Sequence, residues 1–245
     1  ELAGHYYRRF DALNIESKGH QDLVSNADRE VELLLRQAIE AEYPDDGIVG
    51  EEFDNLASTS GFTWVIDPID GTASFVRGRP GWCVVLACVE NGVTTVGVVV
   101  DPVAGEVFHA QRGVGAWLNN KPIRTSSSIT LGEGAVGTGF SARVSPDYVI
   151  AAIQRLLAEH GGMLYQNGSG ALMLVYVACG RLLGFIEYHM HAWDCLAALL
   201  IIEEAGGIVK PVDINDALFN GAQVVAGCPG VFDDLYKLSE LSYQS

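Results

Sequence analysis

The chain has 245 residues, which gives room for one large domain or for two smaller ones that share a core. Hydrophobic residues make up 49% and charged residues 19% of it, so a packed core can form and global disorder is excluded. The formal net charge of −16 disfavours direct binding of nucleic acids, because such a surface repels phosphate backbones.

Location and redox state are predicted from what the sequence lacks. No apolar run reaches the roughly 18 residues that a membrane span needs, and no signal peptide is visible in the polar stretch at 1–9. The five cysteines are scattered, contain no CxxC pair and lie mostly in apolar stretches. Reduced thiols in a cytoplasmic protein with no membrane contact are therefore expected.

In chain order, the first half is predicted as two helices followed by an antiparallel sheet. The helices cover 1–14 and 26–42; the second has a capping box at Ser25 and Asp28, and its apolar stripe is Val31, Leu34, Leu35 and Ala38. Strands near 62–66, 82–90, 93–100, 105–111 and 115–118 follow. Turn signals at 90–92 and 101–105 indicate that they form a meander.

The second half alternates strands and helices. Strands are predicted at 134–139, 182–187, 208–210 and 223–226, and helices at 146–160, 170–179, 192–205 and from about 230. A soft boundary near 126–128 divides the chain into 1–128 and 129–245. The predicted class is α/β (α+β), with an N-terminal antiparallel-sheet half and a C-terminal α/β half.

The most informative stretch is 64–72, where an apolar strand runs into two acidic residues. Asp67 and Asp70 flank Pro68 and can converge at the turn that Gly71 allows. Two carboxylates at so short a distance need a cation between them, or one of them must hold a proton. Hard oxygen donors of this kind suit Mg²⁺. Gly71 and Thr72 would then begin a helix, whose N-terminus can bind an anion. From these residues alone, an ordinary capped turn stays open.

Three further acidic positions are ambiguous by themselves. Glu51 and its neighbour Glu52 follow an apolar run at 48–50 and could lie in a solvated loop. Asp194 lies next to the start of an apolar helix, where a capping role is common. Glu187, at the end of the preceding strand, points toward the same place in space.

In this order, Gly50-Glu51-Glu52, the stretch from Trp64 to Thr72, and Trp193-Asp194 through Gly207 resemble the inositol monophosphatase family of Mg²⁺-dependent, lithium-sensitive phosphatases. The resemblance covers nearly the whole chain, including Asp28 and the Gly168-Ser169-Gly170 turn. It implies a layered αβαβα sandwich and a homodimer. The chain departs from the family pattern at Ala73 and Ser74, where a hydroxyl residue and Asn are usual.

The resemblance also implies residue roles around two or three Mg²⁺ ions. The metal ligands would be Glu51, Asp67, Asp70, Asp194 and the carbonyl of Ile69; the first ion would take Glu51, Asp67 and Ile69, and the second Asp67, Asp70 and Asp194. The catalytic group would be Glu51 together with Asp28 and Thr72, which orient the attacking water. The substrate would contact Glu51, Asp70, Gly71, Thr72, Ser169, Glu187 and Asp194.

The expected activity is hydrolysis of a small polyol monophosphate, first of all inositol 1-phosphate, by metal-activated water. Histidinol phosphate and other sugar or nucleotide phosphates stay open as substrates, and so does a regulatory role on the same fold. An aspartyl-phosphate mechanism is disfavoured because Asp67 and Asp70 are three residues apart with Pro68 between them.

Overall fold

The N-terminal segment folds differently from the prediction of one long helix. In the computed structural model, which describes residues 1–19 and 22–243, helix α1 covers only Leu2–Tyr7, and a hairpin of β1 (Ile15–Gly19) and β2 (Asp22–Ser25) follows. The Tyr7 hydroxyl donates to the carbonyl of Gly78 at 3.0 Å, and its ring packs against Trp82. Tertiary contacts therefore determine the course of this segment.

Helix α2 (Asn26–Glu42) begins and ends where predicted, but it turns another face inward. Val31 is buried as expected, whereas Leu34 is 52% exposed. Glu32 and Arg36 are buried instead, because they pair with each other and with a neighbouring loop. The hydrophobic spacing thus predicted the helix correctly and its stripe only in part.

A seven-stranded sheet forms the larger part of the first half. Its strands, in spatial order, are β3 (Gly47–Gly50), β4 (Phe62–Asp70), β5 (Cys83–Glu90), β6 (Val93–Asp101), β7 (Glu106–Gln111), β8 (Gly115–Leu118) and β9 (Lys121–Pro122). All neighbours pair antiparallel except β3 with β4, which confirms the meander. Strands β3 and β9 were not predicted.

Strand β4 continues four residues beyond its predicted end at Ile66. Its pairing with β3 stops at Gly50 and Ile66, and its pairing with β5 shifts register between Asp67 and Asp70. Pro68 lies in this irregularity, where the ladder does not require its missing N–H. A one-turn helix α3 (Thr72–Phe75) follows directly.

The second half is a five-stranded mixed sheet with helices on both faces. Its spatial order is β11 (Met163–Tyr165), β10 (Ala135–Thr138), β12 (Gly184–Met190), β14 (Ala222–Gly227) and β13 (Ile208–Val209). Strand β10 is parallel to β11 and β12, and the other pairs are antiparallel. The helices are α4 (Pro146–Ala158), α5 (Gly170–Ala178), α6 (Ala192–Glu204), α7 (Ile214–Asn220) and α8 (Phe232–Tyr243). Strand β11 and helix α7 were not predicted.

The elements stack as five layers, which confirms the αβαβα sandwich. Helix α2 packs on β4, and the apolar helices α5 and α6 lie between the two sheets. Helices α4 and α8 cover the far face of the five-stranded sheet. The main hydrophobic core contains residues from both 1–128 and 129–245. The division of the chain into two halves at 126–128 therefore remains a prediction. Within the described residues, no helix combines the length and apolar character of a membrane span.

Candidate active site

Three aspartates from the two halves meet where β4 ends and α6 begins. Asp67 and Asp70 belong to the irregular end of β4, and Asp194 is the third residue of α6. One carboxylate oxygen from each lies within 4.8 Å of the other two. Asp67 is buried, and the other two are half-buried. The layered packing therefore brings together side chains that are far apart in the sequence.

Hydrogen bonds fix each carboxylate in its own way. Asp67 accepts from the N–H of Ile69 at 2.9 Å. Asp70 accepts from the Ser169 hydroxyl at 2.5 Å and from the N–H of Ala171 at 2.7 Å, both at the start of α5. Asp194, the third residue of α6, accepts from the N–H of the N-cap residue His191 at 3.1 Å.

The ionisation of the cluster is strongly perturbed. Burial, followed by the charges of Glu51, Asp70 and Asp194, raises the pKa of Asp67 well above its usual value. Burial and then the charge of Asp70 raise the pKa of Asp194 to about 7. The carboxylate oxygens of Asp67, Asp70 and Asp194 lie within 4.8 Å of one another, so their charges repel when all three groups are ionised. A cation would remove this conflict.

The donor set fits Mg²⁺ better than a soft metal. The clustered ligand atoms are carboxylate oxygens, which hard cations prefer. The Cys83 sulfur lies 3.8 Å from an Asp70 oxygen, but burial and then the charge of Asp70 raise its thiol pKa well above the usual value. Among the described residues, the group of possible metal ligands does not include this sulfur.

Glu51 lies beside this cluster rather than within it. Its charge is the second cause, after burial, of the raised pKa of Asp67. Among the described residues, however, only Asp67, Asp70 and Asp194 form the tight group. The structure therefore places Glu51 close enough to act on Asp67 electrostatically.

Asp28 and Thr72 meet as the resemblance implies. The capping box at the start of α2 is present, because Asp28 accepts from the N–H of Ser25 at 2.8 Å and from its hydroxyl at 2.6 Å. The Thr72 hydroxyl lies 3.2 Å from the other Asp28 oxygen and 2.9 Å from the carbonyl of Ile69. Burial of Asp28 raises its pKa, although the Ser25 hydrogen bonds oppose this.

The turn before Thr72 requires glycine. Gly71 has φ of +92°, which residues with a Cβ rarely adopt, and a Cβ there would lie 2.5 Å from the carbonyl oxygen of Gly81. This turn brings the backbone from Asp70 directly into α3. Gly71 and Thr72 thus directly follow one member of the aspartate cluster, Asp70, in the chain.

A cavity of about 180 Å³ opens beside the cluster. Glu187, which is 9% exposed, lines it with Asp70 and Asp194. The rest of the lining is Gly139, Phe140, Gln166, Gly168, Gly170, Met173 and Met190. Burial, and then the charges of Asp194 and Asp70, raise the pKa of Glu187 well above its usual value. Glu187 is therefore an acidic group aimed at the same region as the cluster.

Several site residues were not predicted from the sequence. A Cβ on Gly139 would lie 1.8 Å from a Glu187 carboxylate oxygen, so only glycine leaves room for that side chain. Ser169 was predicted as a substrate contact; in the structure it caps α5 and donates its hydroxyl to Asp70, a role that spacing alone does not reveal. Glu32 and Arg36 contact the loop after Glu51; their i, i+4 spacing on α2 was the available signal.

An αβαβα sandwich whose clustered carboxylates lie where β4 ends and α6 begins defines a layered α/β protein with a site suited to a hard cation. The sequence profile of the inositol monophosphatase family matches residues 2–239. The chain belongs to the inositol monophosphatase family.

Similar proteins carry two kinds of name. The Nus factor SuhB of Xylella fastidiosa is 37% identical over 230 residues, which cover 91% of this chain and 83% of the relative. The crystal structure of the extragenic suppressor protein SuhB of Bartonella henselae has a TM-score of 0.91 at 30% identity and covers 98% of this chain and 93% of its own. The IMPase of Thermotoga maritima has a TM-score of 0.87 at 31% identity, with 99% and 92% covered.

Proposed function

We propose that this protein is a Mg²⁺-dependent phosphomonoesterase that hydrolyses a small polyol monophosphate, with inositol 1-phosphate as the first candidate. The observation that carries the proposal is the convergence of Asp67, Asp70 and Asp194 at a cavity whose wall includes buried Glu187. The similarity to the IMPase of Thermotoga maritima supports it.

The proposed ligands of two or three ions are the carboxylates of Glu51, Asp67, Asp70 and Asp194 and the carbonyl of Ile69. Bound Mg²⁺ would neutralise the phosphate and lower the pKa of a water molecule. Asp67 has the most central position, because the charges of Glu51, Asp70 and Asp194 all act on it. It is therefore the proposed bridging ligand.

Asp28 and Thr72 are proposed to receive the proton of the attacking water. The water oxygen forms a bond to phosphorus while the bond from phosphorus to the ester oxygen breaks. The water proton passes to the Thr72 hydroxyl oxygen, and the Thr72 proton passes to the Asp28 oxygen 3.2 Å away. The departing alkoxide takes a proton from solvent. Glu51 is proposed to act on the same water, and the N–H groups of Gly71 and Thr72 are proposed to bind the phosphate.

Glu187 is proposed to set the preference for a polyol. A buried carboxylate that accepts substrate hydroxyl groups rejects analogues without them, because its acceptor is then left unpaired. The same carboxylate could pair with an ammonium group. Histidinol phosphate is therefore the first alternative substrate, followed by sugar and nucleotide phosphates of the same family.

Phosphate release tests the activity. Inositol 1-phosphate, histidinol phosphate, a sugar bisphosphate, adenosine bisphosphate and NADP are compared with Mg²⁺ and with excess EDTA, and Asp67→Asn is the inactive control. We expect release from inositol 1-phosphate that requires Mg²⁺ and is inhibited by Li⁺. Full release in EDTA, or none from any ester with Mg²⁺, would contradict the proposal. Release from histidinol phosphate alone would move the substrate to the first alternative.

A regulatory role is the second candidate, and the relatives named Nus factor SuhB favour it. The net charge of −16 favours protein partners over direct contact with RNA in such a role. Replacement of the chromosomal gene by one that encodes Asp67→Asn separates the two functions. Normal growth with the inactive variant would indicate a role that does not need catalysis.

A cytoplasmic homodimer is the proposed form of the protein. All five cysteines are free, in agreement with a reducing compartment. Light scattering on the eluting peak of a sizing column measures the oligomeric state, and a mass of one chain would contradict the dimer.

A further inference from the structure

A buried ion pair on α2 contacts the loop that carries Glu51. Glu32 is fully buried and Arg36 is 8% exposed. The Nε of Arg36 donates to the Glu32 Oε1 at 2.8 Å, one helical turn apart. Neither residue belongs to the aspartate cluster, and the proposed reaction uses neither of them directly.

The pair holds the backbone on the C-terminal side of Glu51. Glu32 Oε2 accepts from the N–H of Glu52 at 2.8 Å. The terminal nitrogens of Arg36 donate to the carbonyls of Phe53 at 3.2 Å and of Asp54 at 3.1 Å. Three consecutive residues after Glu51 are thus attached to one helix.

The backbone on the N-terminal side of Glu51 is fitted to the same carboxylate. A Cβ on Gly50 would lie 2.1 Å from Glu32 Oε1 and 2.6 Å from its carboxyl carbon. Only glycine at this position lets β3 pass so close to Glu32. The two neighbours of Glu51 in the chain are therefore both located by Glu32.

Stability alone does not account for this arrangement. Burial of two charges carries a desolvation cost that often exceeds their attraction, and apolar replacements can be as stable. Here the side-chain donors and acceptors reach the backbone of residues 52–54, a pattern that specifies position. These contacts therefore fix the position of the Glu51 backbone, and with it the position of the Glu51 carboxylate relative to Asp67.

We propose that Glu32 and Arg36 are positioning residues that hold Glu51 at the metal site and so set the affinity of that site for its cation. This rests on the proposed function, in which Glu51 is a metal ligand. Loss of either residue frees the loop and weakens cation binding, while the chemical step at saturating cation is largely kept.

The test compares Arg36→Met and Glu32→Gln with a matched control, Arg112→Met. Arg112 also donates to a backbone carbonyl, that of Thr94, and to a carboxylate, that of Glu203. Mn²⁺ binding is measured directly by electron paramagnetic resonance, and phosphate release is measured over a range of Mg²⁺ concentrations. Far-UV circular dichroism establishes that each variant is folded.

We expect about 10-fold weaker Mn²⁺ binding and a matching rise in the Mg²⁺ requirement for both α2 variants. Their kcat at saturating Mg²⁺ should stay within about threefold of wild type, because the interaction acts on metal binding. The control should bind Mn²⁺ as wild type does. Wild-type Mn²⁺ affinity in both α2 variants, or an equal loss in the control, would overturn the proposal.

Two further outcomes are decided by the same design. If Arg36→Met does not fold, Arg36→Lys replaces it; this variant keeps a positive charge beside Glu32 but lacks the fork that reaches Phe53 and Asp54. Unchanged Mn²⁺ affinity in Arg36→Lys would then refute the proposal. If the wild type binds Mn²⁺ but releases no phosphate, the proposed function fails, while the Mn²⁺ data still test the positioning role.

Discussion

Replacement of Asp194 by Asn should change how the stability of the metal-free protein depends on pH. The pKa of Asp194 is raised from 3.8 to about 7 by burial and by the charge of Asp70. The folded protein therefore holds this proton more tightly than the unfolded chain does. The associated stability is fully present below pH 3.8 and is lost as the pH rises through about 7.

The size of the effect follows from the shift. At 1.36 kcal/mol for each pH unit, a rise from 3.8 to about 7 corresponds to about 4 kcal/mol in total. Between pH 5 and pH 8, about 3 kcal/mol of this is lost, because Asp194 titrates in the folded state near 7. The Asp194→Asn variant should not lose this part of its unfolding free energy between pH 5 and pH 8. The substitution also removes a charge that acts on Asp67 and Glu187.

Urea unfolding in EDTA at several pH values, followed by far-UV circular dichroism, measures the difference. The free energy of unfolding of the wild type should fall from pH 5 to pH 8 by about 3 kcal/mol more than that of Asp194→Asn. The control is Asp233→Asn, an exposed aspartate in the first turn of α8. Parallel pH profiles for the wild type and Asp194→Asn would refute the reasoning.

Three other substitutions test the site. Asp67→Asn should abolish phosphate release while metal-free stability in urea stays unchanged or rises slightly, because a repelling charge is removed; retained wild-type kcat would show that Asp67 is not a bridging ligand. Glu187→Gln should lower kcat/KM for inositol 1-phosphate by about 1.5–3 kcal/mol and that for para-nitrophenyl phosphate much less; equal losses would indicate a role in metal binding or folding. Gly139→Ala should likewise lower kcat/KM for inositol 1-phosphate more than kcat/KM for para-nitrophenyl phosphate, because its Cβ would displace the Glu187 carboxylate. A wild-type ratio of the two kcat/KM values would disprove this.

Local signals predicted most of the central structure. Strands separated by short Gly-containing turns gave the meander from β5 to β8 with bounds that differ little from those observed. The apolar helix after Asp194 was also predicted well, because its sequence is apolar on every side and such a helix must be buried. The aspartate motif predicted that Asp67 and Asp70 come together, because the two residues are close in sequence at a turn.

Features that depend on distant partners could not be predicted in the same way. The end of α1 at Tyr7 depends on Gly78 and Trp82, which lie some 70 residues later. The inward face of α2 depends on the loop that Glu32 and Arg36 bind, so hydrophobic spacing assigned Leu34 to the wrong side. Ser169 acquires its role only when α5 docks against the end of β4.

The bond between Asp70 and Ser169 also affects the order of events during folding. It joins residues 99 positions apart, and so large a loop must close before the contact can form. Asp194 enters the cluster from still further along the chain. The three aspartates come together only when both sheets pack on α5 and α6. A cation bound by them would therefore meet its full set of ligands only in the packed structure, and we expect it to slow unfolding more than it speeds folding.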